Sequence, residues 1–318
     1  MLARHEEEVP VTNAVVFPGQ GSQFVGMADP WLEHEVSRAV LEQTSTVIGY
    51  DVAAACRDED ALRATDLVQP ALLACDVAAF RVLEAEGVGF GGAAGHSLGE
   101  FAALVASGAL ELEPALELVT IRGRAMQAAG EERPGTMSAL LGVGPEQAAE
   151  LCDAARGDDV LLVANENSAQ QVVISGSTAA VERAEALAAE RKVRAIRLKV
   201  AGAFHSPLME PAVVPLAEAI DGTTFRDARF PVATNVTGEP TSDATTLRAL
   251  LKRHVVSPVR WERCARSLAE MGADTFLEAG PGDVLTKLAK RVVPGARAIA
   301  IGSPADAAAF ALDGSTDV

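Results

Sequence analysis

The sequence predicts an α/β protein, with a large domain built on a parallel sheet and a small domain inserted into it. Three observations lead there. Short apolar runs of strand length alternate with longer stretches of helical period. One of those runs passes through a glycine-flanked turn straight into a helix, at GAAGHSLGE, Gly92 to Glu100. From Gly135 the order changes to β-α-β-β-α-β, the split, ferredoxin-like arrangement.

Length and composition set the bounds. The 318 residues (33.0 kDa) suffice for one large domain or for a large and a small one, and 49% hydrophobic content gives them a core. A net charge of −17 argues against nucleic acid and against an anionic membrane surface as partners. Cys56, Cys75, Cys152 and Cys264 are scattered, without C-x-x-C spacing or a histidine cluster, so reduced core thiols are expected and no metal. The amino-terminal MLARHEEEVPVTN is acidic where a signal peptide is basic and then apolar, and a cytoplasmic protein is expected. Asn235-Val236-Thr237 fits a glycosylation acceptor by pattern and is read as chance.

Residues 1–12 read as a flexible lead. Ala14 to Phe17 is a buried strand running into the glycine loop Pro18 to Gln23, which has neither P-loop nor dinucleotide spacing. Its amide side chains, Gln20 and Gln23, sit where loops at the carboxyl ends of parallel strands form a ligand crevice. Helices follow at about 33–47 and 67–85, the second closed by Gly87. After the Gly92 turn, a helix at about 113–129 begins with Pro114 and carries Arg122 and Arg124 among apolar neighbours. A guanidinium buried there needs an anion, and one of the pair is expected to face solvent. The small domain, 134–200, has strands at 137–143, 160–163, 171–175 and 195–200 and helices at 146–155 and 179–190. Asn165, Asn167 and Ser168 fall on the loop between its middle strands, as turn residues or substrate contacts. The large domain, 13–133, resumes at 201–302: His205 on a loop before Pro207, a strand at 230–235, helices at 244–254 and 261–271, a strand at 274–278, a helix at 285–291 and a strand at 296–301. Residues 303–318 read as a loose tail.

The G-x-S-x-G turn carries the chemistry. Gly95 and Gly99 remove the Cβ atoms that would clash in a strained elbow, so Ser97 projects its hydroxyl clear of the backbone at the start of a helix. A serine so placed needs a base. His5 lies in the lead, His34 near a surface helix, and His96 points away from Ser97 across the turn; His205, on a loop downstream, is the best candidate base. The order of serine before histidine is that of α/β hydrolases. No Asp or Glu between them singles itself out, and a backbone carbonyl suffices to orient the base.

FPGQGSQ, GHSLGE, Arg122, NENSAQQVVISG, GAFHS, SPVRW and EAGPGDVLT occur in the order found in malonyl-CoA:acyl carrier protein transacylases and the acyltransferase domains of polyketide and fatty acid synthases. The resemblance spans about Val15 to Ile301. It implies that Ser97 carries a malonyl ester, that His205 shuttles its proton, and that the N–H groups of Gln20 and Leu98 form the oxyanion hole. Arg122 would clamp the malonyl carboxylate, Phe204 resembles the malonyl-selecting version of its position, and His96 and Asn167 would line the substrate. Where the family has Gln, with a main-chain carbonyl orienting the base, this chain has His254, a second ionisable group placed to shift the pKa of His205. The implied partners are malonyl-CoA and the phosphopantetheine arm of an acyl carrier protein, with no bound cofactor and a monomeric enzyme. An acidic carrier protein needs a local basic face, and Arg191, Lys192, Arg194, Arg197 and Lys199 form the densest one. A thioester hydrolase or a dedicated polyketide acyltransferase on the same fold is the alternative.

Overall fold

Strand β1 (Asn13–Phe17) is buried beyond its first residue, as a parallel strand covered on both faces must be. In the computed structural model, which describes residues 13–314, β1 is a central strand of a six-stranded sheet. It lies parallel to β2 (Gly92–Gly95) on one side and β9 (Thr275–Ala279) on the other. β10 (Arg297–Ile301) extends the sheet beyond β9 and β7 (Val232–Ala233) beyond β2, both parallel. The two-residue β8 (Pro240–Thr241) closes the edge antiparallel to β7. Register decides where the site forms. Phe17 pairs with Gly95 and Ala94 with Ala233, so the loops leaving β1, β2 and β7 emerge side by side at the carboxyl edge.

Helices cover both faces. On one, α1 (Glu35–Ile48), the single turn α2 (Val52–Ala55), α3 (Thr65–Ala85), α4 (Gly99–Ala106) and α5 (Leu112–Glu132) share one apolar core with β1 and β2. α3 is buried on nearly every face, as its high content of Ala, Leu, Val and Phe dictates. Its end is a left-handed Gly87 (φ 79°) whose N–H reaches the Glu84 carbonyl, while Val88 N–H reaches Leu83. On the other face lie α10 (Trp261–Glu270) and α11 (Val284–Val292), with Trp261 and Phe276 at the centre of a second cluster. α9 (Ala244–Arg253) precedes them and ends in a short turn, His254–Val256.

The inserted unit has its own sheet and core. β3 (Gly135–Leu141), α6 (Pro145–Arg156), β4 (Leu161–Ser168), β5 (Gln171–Ser177), α7 (Thr178–Glu190) and β6 (Arg194–Arg197) form an antiparallel sheet in the order β4-β5-β3-β6. That is the ferredoxin-like order. α6 and α7 bury Leu151, Cys152, Val181 and Ala184 against Leu140, Val172 and Ile174.

Three expectations give way to the structure, and one helix appears where none was expected. Asn165, Asn167 and Ser168 are not on a loop: β4 runs through them, with register shifts at Val163/Asn165 and Glu166/Ser168, and only Ala169 and Gln170 turn. Bulges let a strand of weak propensity keep its pairing while re-aiming side chains. After Pro207 the chain makes one tight turn (Pro207–Met209) and then a helix, α8 (Glu210–Gly222), over a stretch to which the sequence reading assigned no element. Pro211 sits in its first turn, and Pro215 removes one ladder donor, while Ala212, Leu216 and Ile220 bury an i, i+4, i+8 stripe that outweighs the loss. The strand expected at 230–235 shrinks to β7, because Thr234 N–H turns to Glu239 and leaves the ladder. The tail from Ser303 is helical as far as Gly314, α12 (Pro304–Gly314), with Ala307 fully buried. The expected flexible lead, 1–12, and residues 315–318 lie outside the described residues. Among the described residues no helix is long and apolar enough to cross a membrane.

Candidate active site

The elbow is sharp because its glycines let backbone meet backbone. A Cβ on Gly95 would lie 1.9 Å from the Gly99 carbonyl carbon, and one on Gly99 would lie 2.1 Å from the Phe17 carbonyl oxygen. Between them Ser97 adopts φ 52°, a left-handed conformation that a serine holds only when its surroundings impose it. α4 starts two residues on, so the Ser97 hydroxyl stands at the positive end of a helix.

Ser97 Oγ lies 2.8 Å from His205 Nε2. The opposite ring nitrogen, Nδ1, is 3.1 Å from the carbonyl of His254 and 3.0 Å from that of Ser257. Carbonyls only accept, so Nδ1 carries the proton and Nε2 is free to accept one from Ser97. His205 itself has φ 58°, the second strained residue of the site. Burial, then the Arg122 charge and His96, lower its pKa to about 3, so the ring is neutral at pH 7. The His254 carbonyl, with that of Ser257, acts in the opposite direction and raises that pKa, while the His254 ring, held neutral by burial, Arg122 and His205, adds no charge of the kind expected from sequence.

Arg122 is the buried arginine of its helix, 1% exposed, whereas Arg124 faces solvent. Its Nη2 donates to Ser97 Oγ at 2.9 Å and its Nη1 to Gln69 Oε1 at 2.7 Å. Nε has no partner among the described residues, and the guanidinium lies over the Phe101 ring. Burial lowers its pKa to about 10, partly offset by Glu100, so it stays charged at neutral pH. Among the described residues no carboxylate is ion-paired with it. A desolvated cation whose hydrogen bonds all go to neutral groups is a receptor for an anion.

The remaining groups gather around this centre. A Cβ on Gly19 would lie 2.2 Å from the His96 carbonyl oxygen, so the loop bearing Gln20 is pressed against the elbow. The N–H groups of Gln20 and Leu98 bond to no protein acceptor among the described residues, the state required of oxyanion donors. The small sheet is stitched to the large domain beside the base: Glu166 N–H donates to Val259 O and Val259 N–H to Ala164 O, both at 2.8 Å. That suture sets Asn167 opposite the elbow, where its Oδ1 lies 2.9 Å from His96 Nε2. Burial lowers the His96 pKa, so its neutral ring donates this bond. A cleft lined by Gln20, His96, Asn167, Val173 and Leu198 opens between the two sheets. Phe204 is 6% exposed and packs into the large core next to the base.

Sequence reasoning passed over Gln69, Asn235 and the Ser257 carbonyl. Gln69 carried a signal, a polar side chain set between Val68 and the apolar run Pro70 to Cys75. Asn235 was legible only as a glycosylation pattern, yet it is fully buried with both ends of its amide engaged, at Ser97 N–H and Gly95 O. A carbonyl leaves no trace in a sequence. Of the five basic residues at the edge of the small domain, Arg197 is tied to Glu185, and Arg191, Lys192, Arg194 and Lys199 are exposed. Among the described residues no group of three or more His, Cys, Asp or Glu is arranged to hold a metal ion.

A strained serine at an elbow, a carbonyl-oriented histidine and free backbone donors define a protein of the acyl-transferring type. The model of the acyl transferase domain matches residues 14–304, and the chain belongs to that family. The malonyl CoA-acyl carrier protein transacylase of Haemophilus influenzae is 40% identical over 299 residues, covering 91% of this chain and 94% of that protein. The solved FabD of Acinetobacter baumannii superposes with a TM-score of 0.93 at 36% identity, over 98% of this chain and 100% of that one. A malonyl-transacylase solved in complex with a type II PKS acyl-carrier protein superposes with a TM-score of 0.90 at 37% identity, over 95% and 99% of the two chains.

Proposed function

We propose that this chain is a malonyl transferase that moves the malonyl group from malonyl-CoA to the phosphopantetheine thiol of an acyl carrier protein, for fatty acid or polyketide synthesis. The observation that carries the reading is Arg122, a buried cation with no carboxylate partner among the described residues, which touches the Ser97 hydroxyl. An acyl group bearing its own carboxylate satisfies it. Ser97 Oγ attacks the thioester carbonyl while His205 Nε2 takes its proton, and the oxyanion is met by the N–H groups of Gln20 and Leu98. The carbonyls of His254 and Ser257 stabilise the imidazolium. The proton then goes to the departing CoA thiolate, leaving a malonyl ester on Ser97. In the second half the carrier thiol gives its proton to His205, attacks the ester and leaves with the malonyl group.

Phe204 narrows the pocket in favour of malonyl, and His96 with Asn167 lines the approach of the thioester arm. Residues 134–200 act as a small domain that forms one wall of the cleft, with 13–133 and 201–302 forming the other. Arg191, Lys192, Arg194 and Lys199 offer the carrier protein its basic face, with Arg197 already neutralised by Glu185. Four buried free cysteines suit a reducing, cytoplasmic compartment, and the enzyme acts as a monomer.

Intact mass spectrometry tests the reading. Malonyl-CoA should add one malonyl group to the protein but not to Ser97→Ala, and holo carrier protein should remove it and gain the same mass. An adduct that never forms, or that water clears faster than the carrier, refutes it.

A further inference from the structure

Ser97 sits one residue past the point where its own sheet stops supporting it. β2 pairs with β7 as far as Ala94 and Ala233, and the main chain of β7 then turns away. At that gap the Asn235 side chain takes over. Its Nδ2 donates to Gly95 O at 2.6 Å and its Oδ1 accepts from Ser97 N–H at 2.7 Å. The two contacts have opposite polarity, so the orientation of the amide is fixed. One primary amide thus does for the elbow what a further peptide unit of a neighbouring strand would do, across a turn whose φ of 52° it opposes relaxing.

Asn235 is itself held from two sides. Its N–H donates to Glu100 Oε2 at 2.7 Å, in the first turn of the helix that follows the elbow. Its Oδ1 also lies 3.1 Å from His254 Nε2. Since Oδ1 can only accept, His254 carries its proton on Nε2, which leaves Nδ1 buried without a partner. His254 therefore touches both halves of the site. Its carbonyl receives the Nδ1–H of the base, and its imidazole donates to the amide that holds the serine. Because Ser97 N–H is committed to Asn235, it is not available to an oxyanion, and that work falls to Leu98 and Gln20.

We propose that Asn235 is a positioning residue for the nucleophile and that the His254 side chain is its support, so that base and serine are registered to each other through one residue. The effect is on geometry. Ser97 Oγ must stay 2.8 Å from His205 Nε2, and a displacement near 1 Å costs on the order of 100-fold in rate. A Gln at position 254 would offer Asn235 an amide N–H donor in place of His254 Nε2–H.

This inference rests on the acyl-transfer reading, and a serine-directed fluorophosphonate probe separates the two. In that labelling Ser97 Oγ bonds to phosphorus, fluoride leaves and His205 takes the proton, with no malonyl group involved. Asn235→Ala, His254→Leu and His254→Gln would be compared with the parent for labelling rate, single-turnover malonylation, KM for malonyl-CoA and melting temperature. Asn235→Ala should label and malonylate roughly 100-fold more slowly, with KM within about threefold and a cooperative melt retained. His254→Leu should be slowed as well, and His254→Gln should recover about tenfold or more of that loss. A folded Asn235→Ala reacting within about threefold of the parent overturns the proposal, as does equal loss in His254→Leu and His254→Gln. A parent that labels with the probe yet takes no malonyl group refutes the malonyl reading, while the variants still decide the role of Asn235.

Discussion

Replacing Arg122 by Ala removes the anion receptor and leaves the rest of the site in place. Two donors on one side chain, each making a charge-assisted hydrogen bond worth about 1.5–3 kcal/mol, give about 3–6 kcal/mol when both turn to a substrate carboxylate. At 1.36 kcal/mol per decade, malonyl transfer should fall roughly 10²- to 10⁴-fold in kcat/KM. An uncharged acyl-CoA has nothing to lose there. For acetyl-CoA the variant should match or exceed the parent, since the guanidinium no longer ties up an attacking lone pair of Ser97 Oγ, to which Arg122 donates at 2.9 Å. Gln69 Oε1 loses its donor in the variant, a cost shared by both substrates. Stopped single-turnover acylation with each CoA ester, read by intact mass, gives the two ratios directly. Equal losses for malonyl and acetyl would show that Arg122 supports the fold or the serine and does not select the carboxylate.

The same charge shapes the pH profile and a neighbouring acid shapes stability. Because burial and Arg122 depress the His205 pKa to about 3, the base stays neutral well into acid, and the acid limb of kcat/KM should lie below 6.5. Bound malonyl neutralises Arg122, so the limb of kcat should lie at higher pH than that of kcat/KM, and Arg122→Ala should move the kcat/KM limb upward; a parent limb at 6.5 or above contradicts this. Asp76 is fully buried, neither of its oxygens is hydrogen-bonded among the described residues, and desolvation and Glu278 raise its pKa well above the ordinary range. An acid with a raised folded-state pKa contributes stability below its unfolded pKa and loses it as pH rises. Asp76→Ala should therefore stabilise the protein by about 1–3 kcal/mol near neutrality, with a smaller gain at pH 4, measured by denaturant unfolding at both. A variant less stable than the parent at pH 8 would refute the argument.

Much of the site was legible because its physics is local. The elbow announces itself through two glycines around a serine between a strand and a helix, since only glycine lets Gly95 and Gly99 approach within contact of backbone. Arg122 was conspicuous as a charge in an apolar helix, and the β-α-β-β-α-β order follows from periodicity alone. What the sequence could not supply was anything that depends on which ends meet. α8 was hidden by its prolines, because the apolar stripe that overrides them gains only when Leu216 and Ile220 find their core. Asn167 was placed on a turn because the bulged pairing of β4, and the bonds joining Ala164 and Glu166 to Val259, are settled between distant segments. Asn235 reads only as the last residue of a strand, with a chance glycosylation pattern, until the register of β7 against β2 brings its amide to the elbow. Sequence by itself determined the reacting groups and the fold class, through residue types and short periods. Tertiary structure decided which carbonyls orient His205, which amide holds Ser97 and which charge is left without a partner, because those depend on backbone groups and desolvation that arise only when the sheets close on each other.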